Sequence, residues 1–244
     1  MDLALVDKAR AKISEDNLLD LQESEKLKEK VIYTVTYNSN AIAGNSITLD
    51  ETVKILDYDV VIEGKPLGDH FDIVGHNDAF NFLCVLSQSM QKLNDEIIRS
   101  IHSLVYMRDV SERGRYRCIP IAVTKDRINL GVDVEHQIKL LLESYESKKK
   151  SSHIIEAACF LLLEYERIHP FIDANGRTAR LLLNFELIKA GYMPIDIKVS
   201  ERDRYYSCYD SYFKSSNIQP FVDFVAEHEI NELENYLALK NTSK

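Results

Sequence analysis

The sequence predicts an all-α fold carrying one small β-hairpin. Three observations predict it. Gly and Pro are scarce, 8 and 5 among 244 residues, which favours helices joined by short loops over a strand-and-turn architecture. Apolar residues recur at helical spacing over most of the chain. The stretch 114–130 breaks that rhythm, being β-branched, Pro-bearing and polar at its centre.

Taken in order, residues 1 to about 30 mix charges and apolar positions in a helix-compatible pattern, and a helix over 24–42 stops near Gly44. Thr48-Leu-Asp-Glu51 has the spacing of a capping box and starts a short helix. Helical faces follow over 69–89, through Phe71, Val74, Ala79, Phe82, Leu83 and Leu86, and over 94–108, through Ile97, Ile98, Ile101, Leu104 and Val105. Pro120 keeps the 114–130 hairpin from being a central strand. Helices resume at 133–148. Lys148-Lys-Lys-Ser-Ser152 reads as a solvated loop. The run 152–168 is the most apolar helix. It is followed by a loop at 169–174, a helix over 175–190 that ends at Gly191, and helices near 200–215 and 219–240. No internal repeat is visible. The division expected is an N-terminal helical extension (1–34), one helical domain (35–225) and a C-terminal helix and tail (226–244).

The net charge of −9 argues against a nucleic-acid partner, which calls for a basic domain. No stretch approaches 18 uncharged apolar residues, so no membrane partner is expected. Cys84, Cys118, Cys159 and Cys208 are too far apart for a zinc site, and reduced thiols together with the lack of a signal peptide predict a cytoplasmic protein.

Chemistry concentrates in His169-Pro-Phe-Ile-Asp-Ala-Asn-Gly-Arg-Thr-Ala-Arg180, between two helices. Asn175-Gly176 opens the second helix, whose first N–H groups have no internal partners and carry partial positive charge, a natural anion site. Arg177 and Arg180 project from its first turns and suit a polyphosphate. A carboxylate beside phosphates, here Asp173, is the kind of hard donor Mg²⁺ takes. Imidazole titrates near neutrality, so His169 is a candidate base for an attacking hydroxyl. Each piece alone is common in purely structural settings; all four within 12 residues are specific. Walker and protein-kinase motifs are absent.

This run resembles the signature of Fic (filamentation induced by cAMP) domains, H-x-F-x-[DE]-[AG]-N-[GK]-R-x-x-R, at every defined position, and the likeness extends over most of 35–225. It implies the Fic fold, a helical bundle with a hairpin flap at about 115–128. It also implies transfer of AMP from ATP to a Ser, Thr or Tyr hydroxyl of a target protein and of the chain itself, with pyrophosphate released. By the same resemblance, His169 is the general base, Phe171 anchors the loop and Asp173 holds Mg²⁺. Ala174, Asn175, Gly176, Arg177, Thr178 and Arg180 surround the phosphates, with Arg177 near the β- and Arg180 near the γ-phosphate. Ile121, Val123 and Thr124 are the flap positions near the nucleotide, along an edge that would receive the target as an added strand. Tyr205 and Tyr206 match a pair lining the adenosine pocket, while Phe213 stands where many relatives place Asn. The family's inhibitory helix, here about 37–45, reads [ST]-x-x-x-E-[GN]. This chain supplies Ser39 and Gly44 but has Ala43 in place of the Glu that pairs with the second arginine, so an active, unbraked enzyme is expected. Relatives often form homodimers. The alternatives are a Fic-fold transferase using UTP or GTP, and a non-catalytic regulatory binding module.

Overall fold

The computed structural model describes residues 2–15, 21–124, 127–129 and 133–242. Ten α-helices, one hairpin and a short 3-10 turn follow in order among these residues: α1 (Leu3–Glu15), α2 (Leu21–Ile42), α3 (Leu49–Tyr58), α4 (Leu67–Ser87), α5 (Asp95–Val105), β1 (Ile121–Thr124), β2 (Arg127–Asn129), α6 (Val134–Ser151), α7 (Ile154–Ile168), α8 (Asn175–Lys189), the 3-10 turn (Val199–Glu201), α9 (Arg202–Ser215) and α10 (Gln219–Thr242). The strands pair antiparallel, with an irregularity between Ala122 and Thr124. Lys125 and Asp126, the tip of the expected flap, lie outside the described residues.

The core is built around α7, which packs on α8, α6 and α10, while α8 also meets α4, α5 and α2. The sequence dictates this centre. Leu161, Leu162, Leu163 and Tyr165 in α7, and Leu181, Leu182, Leu183 and Phe185 in α8, are fully buried on several sides of their helices, as expected of helices without a solvent face. Surface helices instead show one apolar stripe, as in α5, where Ile97, Ile98, Ile101 and Val105 are buried.

Caps set the boundaries. Thr48 and Glu51 form the expected capping box on α3. At the end of α2, Gly44 sits at φ +94° and donates to Ala41 O, while Asn45 N donates to Asn40 O. This is the Schellman pattern, which favours a residue without Cβ. One expectation is corrected: Lys148–Lys150 is not a loop. Helix α6 continues through it to Ser151, because lysines in a last turn complement the helix dipole and Lys149 reaches the buried Glu186 at 2.7 Å. Among the described residues no helix is long and apolar enough to cross a membrane.

Candidate active site

The loop between α7 and α8 is bracketed by two left-handed residues, His169 (φ 51°) and Ala174 (φ 58°). His169 caps α7, its N–H donating to Tyr165 O at 2.8 Å. Three clamps fix the loop. Asn175 forms a reciprocal pair with Phe171: Phe171 N donates to Asn175 Oδ1 at 2.9 Å, and Asn175 Nδ2 donates to Phe171 O at 2.8 Å. The buried His102 of α5 lies flat on the Phe171 ring, centroids 3.6 Å apart and planes 2° apart. It accepts from Gly114 N at 3.0 Å, so its Nε2–H donates to Asp173 O at 3.2 Å. Burial pulls the His102 value down to about 4, keeping the ring neutral. The third clamp is Arg117, at the base of the hairpin. Its Nε donates to His169 O at 2.7 Å and its Nη2 to Ile168 O at 3.1 Å, placing a cation on the last carbonyls of α7.

Ala174 carries strain that the sequence need not contain. A side chain in the left-handed region costs about 1–2 kcal/mol, and Gly does not pay this steric cost. Ala174→Gly is therefore expected to stabilise the fold by about 1 kcal/mol, raising Tm by about 2–4 °C in a chain of this size; calorimetry checks this.

A cavity of about 480 Å³ opens at the N-terminus of α8, lined by His169, by Asp173 to Arg177, by Arg180, by Ala43 just after α2 and by residues of α9. The two arginines differ in state. Arg177 is braced: its Nη1 lies 2.6 Å from Asp72 Oδ1 in α4 and donates to Asn40 Oδ1 of α2 at 3.2 Å. Arg108 in turn holds Asp72, through Nε at 3.1 Å. Arg180 is held through Ser39: its Nε donates to Oγ at 3.0 Å and its Nη2 to the carbonyl at 2.7 Å. Tyr205 faces it, with the guanidinium carbon 5.9 Å from the ring centroid. Burial raises the Tyr205 phenol to about 12 against the opposing pull of Arg180, so the hydroxyl stays neutral.

His76 of α4 lies fully buried behind the arginines, bonded through Nδ1 to Thr36 Oγ1 at 3.1 Å. Burial, then the charges of Arg180 and Arg177, push its titration well below the ordinary 6.5. A histidine kept neutral in the fold but free to protonate when unfolded favours unfolding as pH falls below about 6.5. Each unit of pH then removes up to about 1.4 kcal/mol until the folded-state value is reached. Urea midpoints at pH 7 and 5.5 are expected to show this loss, and His76→Gln to shrink it.

The expected site residues distribute as follows. His169, Asp173, Ala174, Asn175, Gly176, Arg177, Arg180, Tyr205 and Tyr206 all line the cavity, as does Ala43. The Asn175 side chain is engaged by the loop backbone, because an amide that both donates to and accepts from Phe171 closes the turn. Thr178 is fully buried and is not among the lining residues. Ile121, Val123 and Thr124 lie on β1; Ile121 is half-buried and is not part of the wall. Sequence reasoning missed Glu166, Tyr209, Asp210 and Lys214, which also line it. The available signal was helical spacing: Glu166 is three residues before His169, and Tyr209 and Asp210 follow Tyr205 and Tyr206 at four.

The carboxylate of Asp173 is exposed at the cavity, with Oδ1 accepting from Ala174 N at 2.6 Å. Among the described residues no cluster of three or more potential metal ligands exists. A single hard oxygen donor beside an anion site fits Mg²⁺, which takes one or two carboxylates and completes its shell with phosphate oxygens and water.

Residues 92–187 match the Fic/DOC family. The chain is 34% identical over 205 residues to "Protein adenylyltransferase Fic" of Nematostella vectensis, covering 83% of this chain and 48% of that protein. It is 29% identical over 235 residues to "Protein adenylyltransferase fic-1" of Caenorhabditis elegans, covering 93% and 46%. The chain thus spans about half the length of these curated relatives. Among solved structures, the fragment "Fic-1 (aa134 - 508) from C. elegans" superposes with a TM-score of 0.88 at 27% identity, covering 99% of this chain and 72% of that one. A Fic domain-containing signaling protein from Bacteroides thetaiotaomicron shares the fold, with a TM-score of 0.86 at 23% identity and 94% of each chain covered.

Proposed function

The chain carries a Fic domain of the Fic/DOC family, and on that premise we propose that it is a protein adenylyltransferase, moving AMP from ATP to a hydroxyl side chain of a target protein and of itself. The observation that carries this reading is the convergence at one helix mouth of an accessible imidazole, two buried guanidinium groups and the free N–H groups of α8.

The chemistry is an in-line displacement at the α-phosphorus. His169 takes the proton of the incoming hydroxyl. The α8 N-terminus and Arg180 face the negative charge of the polyphosphate, and Arg177, neutralised in part by Asp72, acts as a fixed donor. These groups are set in place by the fold, so little reorganisation accompanies the reaction. Asp173 is the residue that would hold Mg²⁺, which when bound supplies charge neutralisation on the phosphates. Tyr205 and Tyr206 border the nucleoside end. Within the same reading the target lies along β1, the cellular setting is cytoplasmic and the assembly is a homodimer.

Ala43 supports an unbraked form. It stands one helical turn after Ser39, the residue that holds Arg180, so the acid the family places there is replaced by a methyl group. The experiment is incubation of the chain with labelled ATP, Mg²⁺ and host lysate. The expected result is AMP, by mass, on a protein hydroxyl. Adducts of UMP or GMP when UTP or GTP replaces ATP, with none from ATP, would reassign the donor; no adduct from any nucleotide would sink the reading.

A further inference from the structure

We infer that Glu166 is a positioning residue for this reaction, fixing the proton of His169 on Nδ1 so that Nε2 faces the cavity as the free base. The inference rests on the transfer reading above and deepens it.

The two residues are three apart at the end of α7. Glu166 Oε2 lies 3.5 Å from His169 Nδ1. Nδ1 is shielded from solvent, yet the imidazole is 20% exposed and lines the cavity. The accessible part of the ring is therefore its other edge, which carries Nε2. A neutral imidazole has one N–H donor and one acceptor nitrogen, and the partner of one nitrogen decides the state of the other. A carboxylate can only accept, so it selects Nδ1–H. The 3.5 Å separation is longer than a hydrogen bond, as is common where catalytic bonds tighten only around substrate.

Glu166 is itself held at the cavity wall, its side chain 12% exposed. A Cβ on Gly176 would stand 3.4 Å from its Oε1 and 3.2 Å from Arg180 Nη1, so the glycine admits both groups to the same corner. Arg180 from α8, Tyr205 and Tyr209 from α9 and the neighbouring Tyr165 of α7 also face this carboxylate, and burial holds the three phenols neutral.

In the reaction the alcohol oxygen forms its bond to phosphorus and its proton passes to Nε2. The bond from phosphorus to the pyrophosphate oxygen breaks, and that oxygen keeps the electron pair. The imidazolium so created lies beside the Glu166 carboxylate, which stabilises it without taking its proton.

The test uses Glu166→Gln and Glu166→Asp in the full chain. Glu166→Gln is expected to lower kcat for AMP transfer by about 10- to 100-fold, less than loss of the base itself, with KM for ATP within about twofold, and Glu166→Asp to recover part of the loss. Unchanged or raised kcat, or tighter ATP binding in Glu166→Gln, would overturn the inference and make Glu166 a competitor for the phosphate site. A second measurement stands apart from activity. Nitrogen-15 spectra of histidine-labelled protein, assigned with His169→Ala, should show Nδ1–H in the parent and loss of that preference in Glu166→Gln. An Nε2–H ring in the parent overturns the inference. Absence of AMP transfer with an Nδ1–H ring that depends on Glu166 would instead sink the transfer reading alone.

Discussion

Replacing His169 with alanine is expected to lower AMP transfer by about 10²- to 10⁴-fold, the range over which a positioned base accelerates a reaction, while leaving ATP bound. The separation follows from the geometry. The imidazole sits at the C-terminus of α7, whereas the groups that face phosphate belong to α8 and are held by Ser39, Asn40 and Asp72, none of which bonds to His169. Loop shape should survive too, because its clamps are Asn175, His102 and Arg117, and Arg117 contacts the backbone carbonyl of residue 169 rather than its side chain. Self-modification with labelled ATP gives the rate and calorimetric titration the affinity. Undiminished labelling would reject the base.

Ala43→Glu should suppress transfer by about 10- to 100-fold and weaken productive ATP binding in parallel. Ser39 lies in the last turn of α2 and Ala43 follows it by four, one residue past the helix end, on the same side. That side meets Arg180 at Ser39 and the cavity at Ala43. A carboxylate there would be offered the buried guanidinium of Arg180. A charge-assisted hydrogen bond of this kind is worth about 1.5–3 kcal/mol, which a γ-phosphate would have to displace. Equal self-modification by both proteins would show that the corner is not where the nucleotide's terminal charge resides.

What the sequence could reveal was local. Caps, the Gly44 stop, the apolar α7 and the order of His169, Asp173, Arg177 and Arg180 are all set by residues within a turn or two of one another. The braces on the site are not local. Asp72 reaches Arg177 from α4, and His102 stacks on Phe171 from α5, each across about 70 to 105 positions of chain. Their trace in the sequence was faint: Asp69, His70, Asp72 and His76 interrupt the buried side of α4, polar residues where an apolar stripe belongs. Lys148–Lys150 misled for the opposite reason. Composition alone marks a charged run as loop, but the dipole of α6 and the buried Glu186 give those lysines a place in a helix.

The bracing of Arg177 and Arg180 has a cost elsewhere in the molecule. A receptor whose cations are desolvated and aimed before the guest arrives loses little side-chain freedom on encounter, so more of each contact appears as affinity. The unliganded protein must meanwhile keep two guanidinium groups away from water, where an apolar pair of similar size would often hold α2, α4 and α8 together at least as well. Rigidity at the phosphate end is thus obtained at the expense of cohesion between three helices.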